Sequence, residues 1–293
     1  MVDVTRYIEF SRHRKTVPTR FGRTAYADCG TGDVVVFIHG LGLSSFFWRH
    51  QITYFSPKRR CIAFDLMAHG FTEIARGQDV SFSAQADMIL AALDEIGVHR
   101  FDLVGNDSGG AVAQIMAVRA PERLSSLVLT NCDVHNNWPP VALGEIRGAA
   151  KDGKLADQFA AFFEDPSLFR NPGSIAEMVF EDPSMATDEI VRINLGPIIA
   201  TDDRRDAFNR YAGFQDHSQL VVIEDQLCTL PTRVLVVWGN NDVFFGTQWA
   251  QWLKEKLPNV EQLIEIDGAK LFFPEERPQD LNGVVEDFWS KGS

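Results

Sequence analysis

The sequence places one acidic residue, Asp107, in a setting that favours covalent chemistry. It lies at the centre of Gly105-Asn106-Asp107-Ser108-Gly109, directly after the apolar, strand-like residues 101–104. The flanking glycines permit a strained strand-to-helix turn and close packing of the following helix on the strand. A carboxylate at the tip of such a turn can attack an electrophilic carbon and form an ester. The pattern therefore predicts an enzyme with Asp107 as its nucleophile.

The elements around this turn predict an α/β fold with a mostly parallel sheet covered by helices on both faces. Residues 34–38 and 61–65 are continuous β-branched and aromatic runs, typical of strands buried on both faces. Further strands are predicted at 127–129, 234–238 and 262–266, and helices at 83–96 and 281–289. Two short extended segments are predicted near 7–10 and 23–28.

Residues 134–228 interrupt the alternation of strands and helices with helical patches, Asp-Pro and Asn-Pro turns, and many aromatic residues. We interpret this interval as a helical cap over the ends of the strands. Residues 1–133 and 229–293 then form the two parts of the core. Most of the aromatic residues are expected to pack the cap onto the core, and a few are expected to line a pocket.

Four motifs occur in order along nearly the whole chain. They are Phe37-Ile38-His39-Gly40-Leu41-Gly42, Asp65-Leu66-Met67-Ala68-His69-Gly70, the turn at 105–109, and Trp238-Gly239-Asn240-Asn241-Asp242. This order and spacing resembles the α/β-hydrolase family, specifically its capped branch with an aspartate nucleophile, the haloalkane dehalogenases and epoxide hydrolases. The resemblance implies an α/β-hydrolase fold with a helical cap.

The resemblance also implies roles for individual residues. The backbone N–H groups of Leu41 and Ser108 are expected to form an oxyanion hole near Asp107. Asp242 is expected to be the acid that orients a catalytic imidazole. Without an imidazole, burial and like charge would raise the pKa of one member of an Asp107/Asp242 pair. The alternative is that Asp242 caps a loop or a helix start.

The histidine that the family carries after its last strand is missing. Aligning Gly268 and Pro278 with the family pattern puts Leu271 at the histidine position, and no histidine occurs after His217. In addition, Ser108 follows the nucleophile where dehalogenases usually have a tryptophan, which weakens halide stabilisation. The predicted cap contains a single tyrosine, Tyr211, which weakens the epoxide route.

Several residues near the predicted site could compensate for the missing base or line a pocket. The resemblance puts Asp133 and His135, after the strand that ends near Cys132, in a plausible region, because some dehalogenases have a catalytic carboxylate there. His135 is a candidate base, and the alternative is a solvated loop residue at the cap hinge. His39 is expected to bind backbone groups in the oxyanion loop. Lys270 could place a cation near the carboxylates, or lie solvated at the surface. Candidate substrate-binding residues are Trp138, Lys270, Leu271 and Phe272, although core packing would also explain Trp138 and Phe272.

The bulk properties exclude several classes of partner. The net charge of the 293 residues is −12, which argues against nucleic acid and anionic membranes as partners. The four cysteines are widely spaced without a Cys-x-x-Cys pair, which argues against a metal site and favours a reducing, cytoplasmic location. A small-molecule substrate is expected and no cofactor is. The sequence does not define the oligomeric state.

Three functional hypotheses follow from these observations. The first is an Asp107-dependent hydrolase of a small apolar substrate, with an unusual base. The second is a non-hydrolytic lyase or isomerase that uses acid/base chemistry of Asp107 and Asp242. The third is a ligand-binding protein derived from a hydrolase. Retention of both aspartates favours an enzyme.

Overall fold

The computed structural model describes residues 2–137, 140–213 and 218–291. The strands in these ranges are β1 (Arg14–Thr19), β2 (Gly22–Cys29), β3 (Val34–Ile38), β4 (Arg60–Phe64), β5 (Phe101–Asp107), β6 (Leu124–Cys132), β7 (Arg233–Gly239) and β8 (Val260–Ile266). They form one sheet in the order β1-β2-β4-β3-β5-β6-β7-β8. β2 pairs antiparallel with β1 and β4, and the other neighbours are parallel.

Helices cover the sheet, so its central strands are buried, as their apolar sequences predict. The first helices in the chain are α1 (Val2–Ser11), α2 (Arg49–Phe55), α3 (Phe82–Glu95) and α4 (Ser108–Arg119). Because α4 begins at Ser108, directly after β5, Asp107 occupies the junction between the strand and the helix.

Residues 134–228, which we call the insertion, connect β6 to β7. The described part of the insertion contains the helices α5 (Gly144–Lys151), α6 (Leu155–Glu164), α7 (Ile175–Val179), α8 (Asp188–Ile199), α9 (Asp202–Gly213), α10 (Ser218–Val221) and α11 (Glu224–Leu227). Asp165 and Asp182 each precede a proline, and their side chains accept hydrogen bonds from Ser167 N and Ser184 N. Each Asp-Pro pair therefore starts a short 3₁₀ helix with the aspartate as its N-cap, where the sequence predicts a turn.

The insertion is fastened to the core by side chains of α9. Arg204 donates hydrogen bonds to the carbonyl oxygens of Thr72 (3.0 Å) and His69 (3.2 Å) in the loop after β4. Arg210 donates to the carbonyl oxygen of Gln78 at 2.6 Å. The chain ends with α12 (Thr247–Lys256), α13 (Phe273–Glu276) and α14 (Pro278–Ser290).

The prediction of an extended segment near 7–10 is wrong, because these residues belong to α1. Tyr7 and Phe10 are three residues apart, so a helix places both rings on one face. Both rings pack edge-on against Phe46, at centroid distances of 5.4 and 5.3 Å. Packing against Phe46 therefore favours the helix. The first strand is β1, which the sequence patterns did not reveal.

Candidate active site

Asp107 adopts a strained backbone conformation at the strand-to-helix turn, with φ 55° and ψ −135°. Non-glycine residues rarely adopt positive φ angles, and such strain is found at functional sites. The turn depends on a neighbouring glycine, because a Cβ at Gly109 would lie 2.3 Å from the carbonyl oxygen of Ile38. The local sequence therefore holds the Asp107 side chain at the carboxyl end of β5.

The Asp107 carboxylate is buried and accepts backbone hydrogen bonds. The N–H of Leu41 donates to Oδ2 at 2.8 Å, and the N–H of Ser108 donates to the same carboxylate. A Cβ at Gly40 would lie 2.2 Å from Oδ2, so only glycine permits this approach. Burial raises the pKa of Asp107 to about 7, the two N–H groups lower it, and the charge of Asp242 raises it.

Asp242 lies after β7, with more hydrogen-bond donors than Asp107. Phe244 N donates to its Oδ1 at 2.8 Å and the Asn131 side chain to its Oδ2 at 2.7 Å. Phe245 N also donates to this carboxylate. Burial raises the pKa of Asp242 to about 7, although these three donors lower it. Asp107 and Asp242 are thus two buried carboxyl groups that titrate near neutral pH.

A third carboxyl group, Asp133, belongs to the same cluster. Cys132 pairs with Asp107 across β5 and β6, and Asp133 is the next residue. Asp133 is fully buried and neither of its carboxyl oxygens has a hydrogen-bond partner among the described residues. Burial first, and then the charge of Asp107, raise the pKa of Asp133 well above its ordinary value.

Leu271, at the position predicted for the missing histidine, lies on the loop between β8 and α13. Its side chain is buried, and its carbonyl oxygen accepts a hydrogen bond from Asn106 Nδ2 at 3.2 Å. Asn106 directly precedes Asp107. The Leu271 loop is therefore fixed to the strand that carries the candidate nucleophile.

The insertion contacts the turn directly through Tyr211. The Tyr211 hydroxyl lies 2.7 Å from the Ser108 hydroxyl, and Tyr211 is buried. Burial raises the pKa of Tyr211, and the charges of Asp107 and Asp133 raise it further. Tyr211 is therefore a neutral phenol close to the carboxyl cluster.

Two buried histidines lie beside this region. His39 accepts a hydrogen bond from Leu66 N at Nε2 (3.1 Å), so Nδ1 is the protonated nitrogen and donates to Gly40 O (2.8 Å). The sequence gives no role to the other histidine, His69, whose ring packs on Tyr211 with centroids 4.7 Å apart. His69 Nδ1 donates to Met67 O, and Nε2 has no partner among the described residues. Burial lowers the pKa of His69 well below its ordinary value, so its imidazole is neutral.

The contacts of His135 are with Glu224 and Trp252. His135 Nδ1 is hydrogen-bonded to the Glu224 carboxylate, and the His135 ring stacks on Trp252 with centroids 5.0 Å apart. In the described part of the chain, His135 shares no hydrogen bond with Asp107 or Asp242. His135 has a positive φ of 51°, so it occupies a turn just inside the insertion.

The other predicted binding residues differ in their surroundings. Lys270 Nζ donates to the carbonyl oxygen of Glu177 on α7, so it links the loop to the insertion. The Phe272 ring is buried and packs edge-on against Phe47 and Phe180, each at 5.5 Å. Trp138 lies outside the described residues.

A small cavity of about 50 Å³ lies between the insertion and the core. The lining from the core includes Leu41, Phe47 and Phe272, and that from the insertion includes Phe159, Phe180 and Leu195. Leu41 links the cavity to Asp107, because its N–H binds the carboxylate. Glu275 also lines the cavity and is ion-paired with Arg49. The lining favours a small, largely apolar occupant.

Comparisons with known proteins agree with this architecture. A family model described as alpha/beta hydrolase fold matches residues 33–277. The chain is 26% identical to epoxide hydrolase 3 of Siraitia grosvenorii, over 94% of this chain and 98% of that protein. It is 32% identical to haloalkane dehalogenase 2 of Mycobacterium tuberculosis, over 90% of each. The chain therefore belongs to the α/β-hydrolase family.

Solved structures show the same fold. A meta-cleavage product hydrolase from Pseudomonas fluorescens superposes with a TM-score of 0.78 at 22% identity, over 95% of this chain and 98% of that one. An epoxide hydrolase superposes with a TM-score of 0.78 at 17% identity, over 95% and 98%. This chain is an α/β-hydrolase-fold enzyme related to epoxide hydrolases and haloalkane dehalogenases. Within the described ranges, no helix combines the length and apolarity needed to cross a membrane.

Proposed function

We propose that this enzyme hydrolyses small, largely apolar electrophiles through an ester on Asp107, without a catalytic imidazole. The observation that carries the proposal is the buried Asp107 carboxylate at a strained turn, 2.8 Å from the N–H of Leu41. The carboxylate attacks a carbon of the substrate and forms the ester. Water then attacks the ester carbonyl, and the N–H groups of Leu41 and Ser108 stabilise the oxyanion.

The proton transfers of this reaction fall to carboxyl groups. Leu271 cannot accept a proton, whereas a group with a pKa near the working pH can both bind and release one. Asp242 has a pKa of about 7 and its charge acts on Asp107. We assign Asp242 as the acid partner of Asp107, in the position where the family orients its histidine.

Epoxides are the favoured substrate class. Halide release requires N–H donors for the departing anion, and the residue after the nucleophile is Ser108, whose hydroxyl is bonded to Tyr211. An epoxide oxygen stays on the product and needs a proton donor. Tyr211 is a neutral hydroxyl group close to Asp107. The apolar cavity next to Leu41 supports a small hydrocarbon substituent on the epoxide.

We further propose that residues 134–228 act as the cap over this site and that residues 1–133 and 229–293 form the catalytic core. The hydrogen bond between Tyr211 and Ser108 supports this division. So does the cavity, because its walls come from both parts of the chain.

The proposal is tested with a panel of small epoxides, alkyl halides and activated esters. The wild type is expected to hydrate the apolar epoxides fastest, and Asp107→Asn is expected to lose the activity. Asp102→Asn is the matched control, because Asp102 is a buried carboxyl at the opposite end of β5. Undiminished hydrolysis by Asp107→Asn would refute the proposal.

One alternative has specific support. Asp107 and Asp242 both have a pKa of about 7, which suits an acid/base pair that moves protons without hydrolysis. A lyase or isomerase of this kind would transform a substrate without forming a covalent adduct. Many turnovers per enzyme molecule without incorporation of solvent oxygen into the product would favour this alternative, because an ester mechanism incorporates that oxygen after the first turnover.

A further inference from the structure

Asp133 is a buried carboxyl group for which the reaction outlined above has no role. It is fully buried directly after β6, and neither oxygen accepts a hydrogen bond from another described residue. A buried polar group without a partner destabilises the folded state, so it calls for an explanation. Its own carbonyl oxygen is held by Gln114 Nε2 at 2.8 Å, which fixes the backbone and leaves the carboxyl unbonded.

Asp133 follows the residue that pairs with the candidate nucleophile, and the charge of Asp107 acts on its carboxyl group. Asp107 pairs with Cys132, so Asp133 is one residue beyond the last matched pair of β5 and β6. The titratable groups that face it are Asp107 on β5, Asp242 after β7, its neighbour Cys132 and Tyr211 on α9. In the described ranges, no lysine, arginine or histidine forms an ion pair with Asp133.

Asp133 and Asp242 differ in which protonation state their surroundings favour. Asp242 accepts hydrogen bonds from Phe244 N, Phe245 N and Asn131, all of which stabilise its ionised form. Asp133 accepts none from another residue, and burial therefore favours its neutral form. Of the two, Asp133 is the better neutral acid.

We propose that Asp133 is the proton carrier of the Asp107 site, giving a proton to the substrate oxygen in the first step and recovering one in the second. This inference rests on the proposed function and deepens it. In the first step a carboxylate oxygen of Asp107 bonds to an epoxide carbon. The ring C–O bond breaks with its electron pair going to oxygen, and that oxygen takes the Asp133 proton.

The second step reverses the charges. Asp133, now ionised, removes a proton from the water that attacks the ester carbonyl. The tetrahedral intermediate collapses, the acyl C–O bond breaks, and the departing alkoxide takes the remaining proton of the incoming water. The diol leaves, Asp107 is a carboxylate again and Asp133 is protonated again. Through both steps Asp107 and Asp133 together carry one negative charge, so the buried site never holds an additional one.

This exchange restricts the substrate class. An epoxide oxygen can accept the Asp133 proton, which makes Asp133 a base for the next step. A halide leaves as an anion without a proton, so Asp133 would stay protonated and could not activate water. Alkyl halides are therefore expected to leave an ester on Asp107 that epoxides do not.

The first test is independent of any substrate. Infrared difference spectra between the wild type and Asp133→Asn isolate the carboxyl band of Asp133 as the pH is varied. The expected result is a protonated Asp133 at neutral pH, with a titration midpoint that falls by about one unit or more in Asp107→Asn. A wild-type Asp133 that is ionised at neutral pH overturns the proposal, even if no substrate is known.

The second test measures turnover of an epoxide that the wild type hydrates. Asp133→Asn keeps the size of the neutral acid but cannot exchange a proton, so kcat is expected to fall by about 10²–10⁴ with KM little changed. Asp133→Glu is expected to recover part of the rate. The control is Asp102→Asn, whose amide oxygen can still accept from Ser126 or Arg59.

The two tests separate the failure of each proposal. Loss of activity in Asp107→Asn together with full activity in Asp133→Asn would support Asp107 as the nucleophile and would refute Asp133 as the proton carrier. Full activity in Asp107→Asn would reject the proposed function, and the infrared titration would then decide the state of Asp133 alone.

Discussion

Buried carboxyl groups at two places in the same sheet have opposite surroundings. At the antiparallel edge, Asp28 on β2 accepts hydrogen bonds from Lys15 at 2.8 Å and from two nitrogens of Arg60 at 3.0 Å each. Burial raises the pKa of Asp28, but these cations lower it more, so the pKa lies below its ordinary value. At the carboxyl ends of β5, β6 and β7, the pKa values of Asp107, Asp133 and Asp242 are raised, mainly by burial.

The difference lies in the partners rather than in burial. Within the described residues, none of the three carboxyl groups of the cluster forms an ion pair with lysine or arginine, whereas Asp28 has both. Asp28 therefore stabilises the fold, because its carboxylate is paired with two cations. The cluster destabilises it and keeps groups that can exchange protons near neutral pH, as active sites often do.

The largest expected effect comes from giving the cluster a titratable partner. An alkyl halide leaves an ester on Asp107 while Asp133 stays protonated and cannot act as a base. In Leu271→His, an imidazole at the predicted histidine position should activate the water that cleaves this ester, by about 10²–10⁴. Single-turnover kinetics of ester cleavage measure this effect. Leu271→Gln is the matched control, because it is polar but cannot titrate. Equal rates for the two variants would mean that Asp242 does not orient an imidazole at that position.

The pH dependence of stability should reveal the unpaired carboxyl groups. The folded pKa of Asp107 is about 7, against an ordinary value of 3.8, so the folded state retains a proton that the unfolded state releases. The contribution of Asp107 to stability is therefore lost as the pH rises from about 4 to about 7. At one pKa unit per 1.36 kcal/mol, this loss is about 4 kcal/mol.

Asp107→Asn removes this dependence. Relative to the wild type, its free energy of unfolding should rise between mildly acidic and neutral pH, as measured by urea denaturation. A constant difference between the two proteins across that range would show that Asp107 titrates normally.

The contribution of Asp28 to the free energy of unfolding should depend on pH in the opposite direction to that of Asp107. Asp28→Asn removes a carboxylate with two cationic partners, which should lower the free energy of unfolding by about 1–3 kcal/mol at neutral pH. Because the pKa of Asp28 is lowered by folding, its stabilisation is present above the unfolded pKa and disappears as the pH falls through the folded value. Urea denaturation at acidic and neutral pH measures this trend. A loss that grows on acidification would contradict it.

The smallest effect concerns the contact between the insertion and the turn. Tyr211→Phe removes the hydrogen bond to Ser108 and should lower the free energy of unfolding by about 1 kcal/mol. A double-mutant cycle with Ser108→Ala isolates the interaction between the two hydroxyls. If the two substitutions act additively, the contact does not contribute to holding the insertion on the core.

The sequence revealed those features that depend on local patterns. The buried strand β3 follows from a continuous β-branched run, and the turn at Asp107 follows from glycines at fixed spacing. The helix at Tyr7 and Phe10 was missed because it is favoured by contacts with Phe46, which is distant in sequence.

The sequence puts Asp133 in a plausible region for a catalytic carboxylate, but its surroundings and the importance of His69 could not be read from the sequence alone. Asp133 stands beside Asp107 only through the register of β5 and β6. Its lack of partners depends on which side chains surround it after folding. His69 lies in the loop after β4. Its contact with Tyr211 depends on how the insertion packs on the core.

The central claim is that Asp107 forms an ester with the substrate, and oxygen tracing tests it most directly. Excess enzyme is mixed with a small apolar epoxide in water labelled with ¹⁸O, so that each enzyme molecule turns over at most once. An ester mechanism transfers an unlabelled carboxylate oxygen to the diol and leaves ¹⁸O in the peptide that contains Asp107. The expected result is unlabelled first-turnover product with a labelled Asp107 peptide. Labelled product with an unlabelled peptide would mean that water attacks the substrate directly, and would contradict the account.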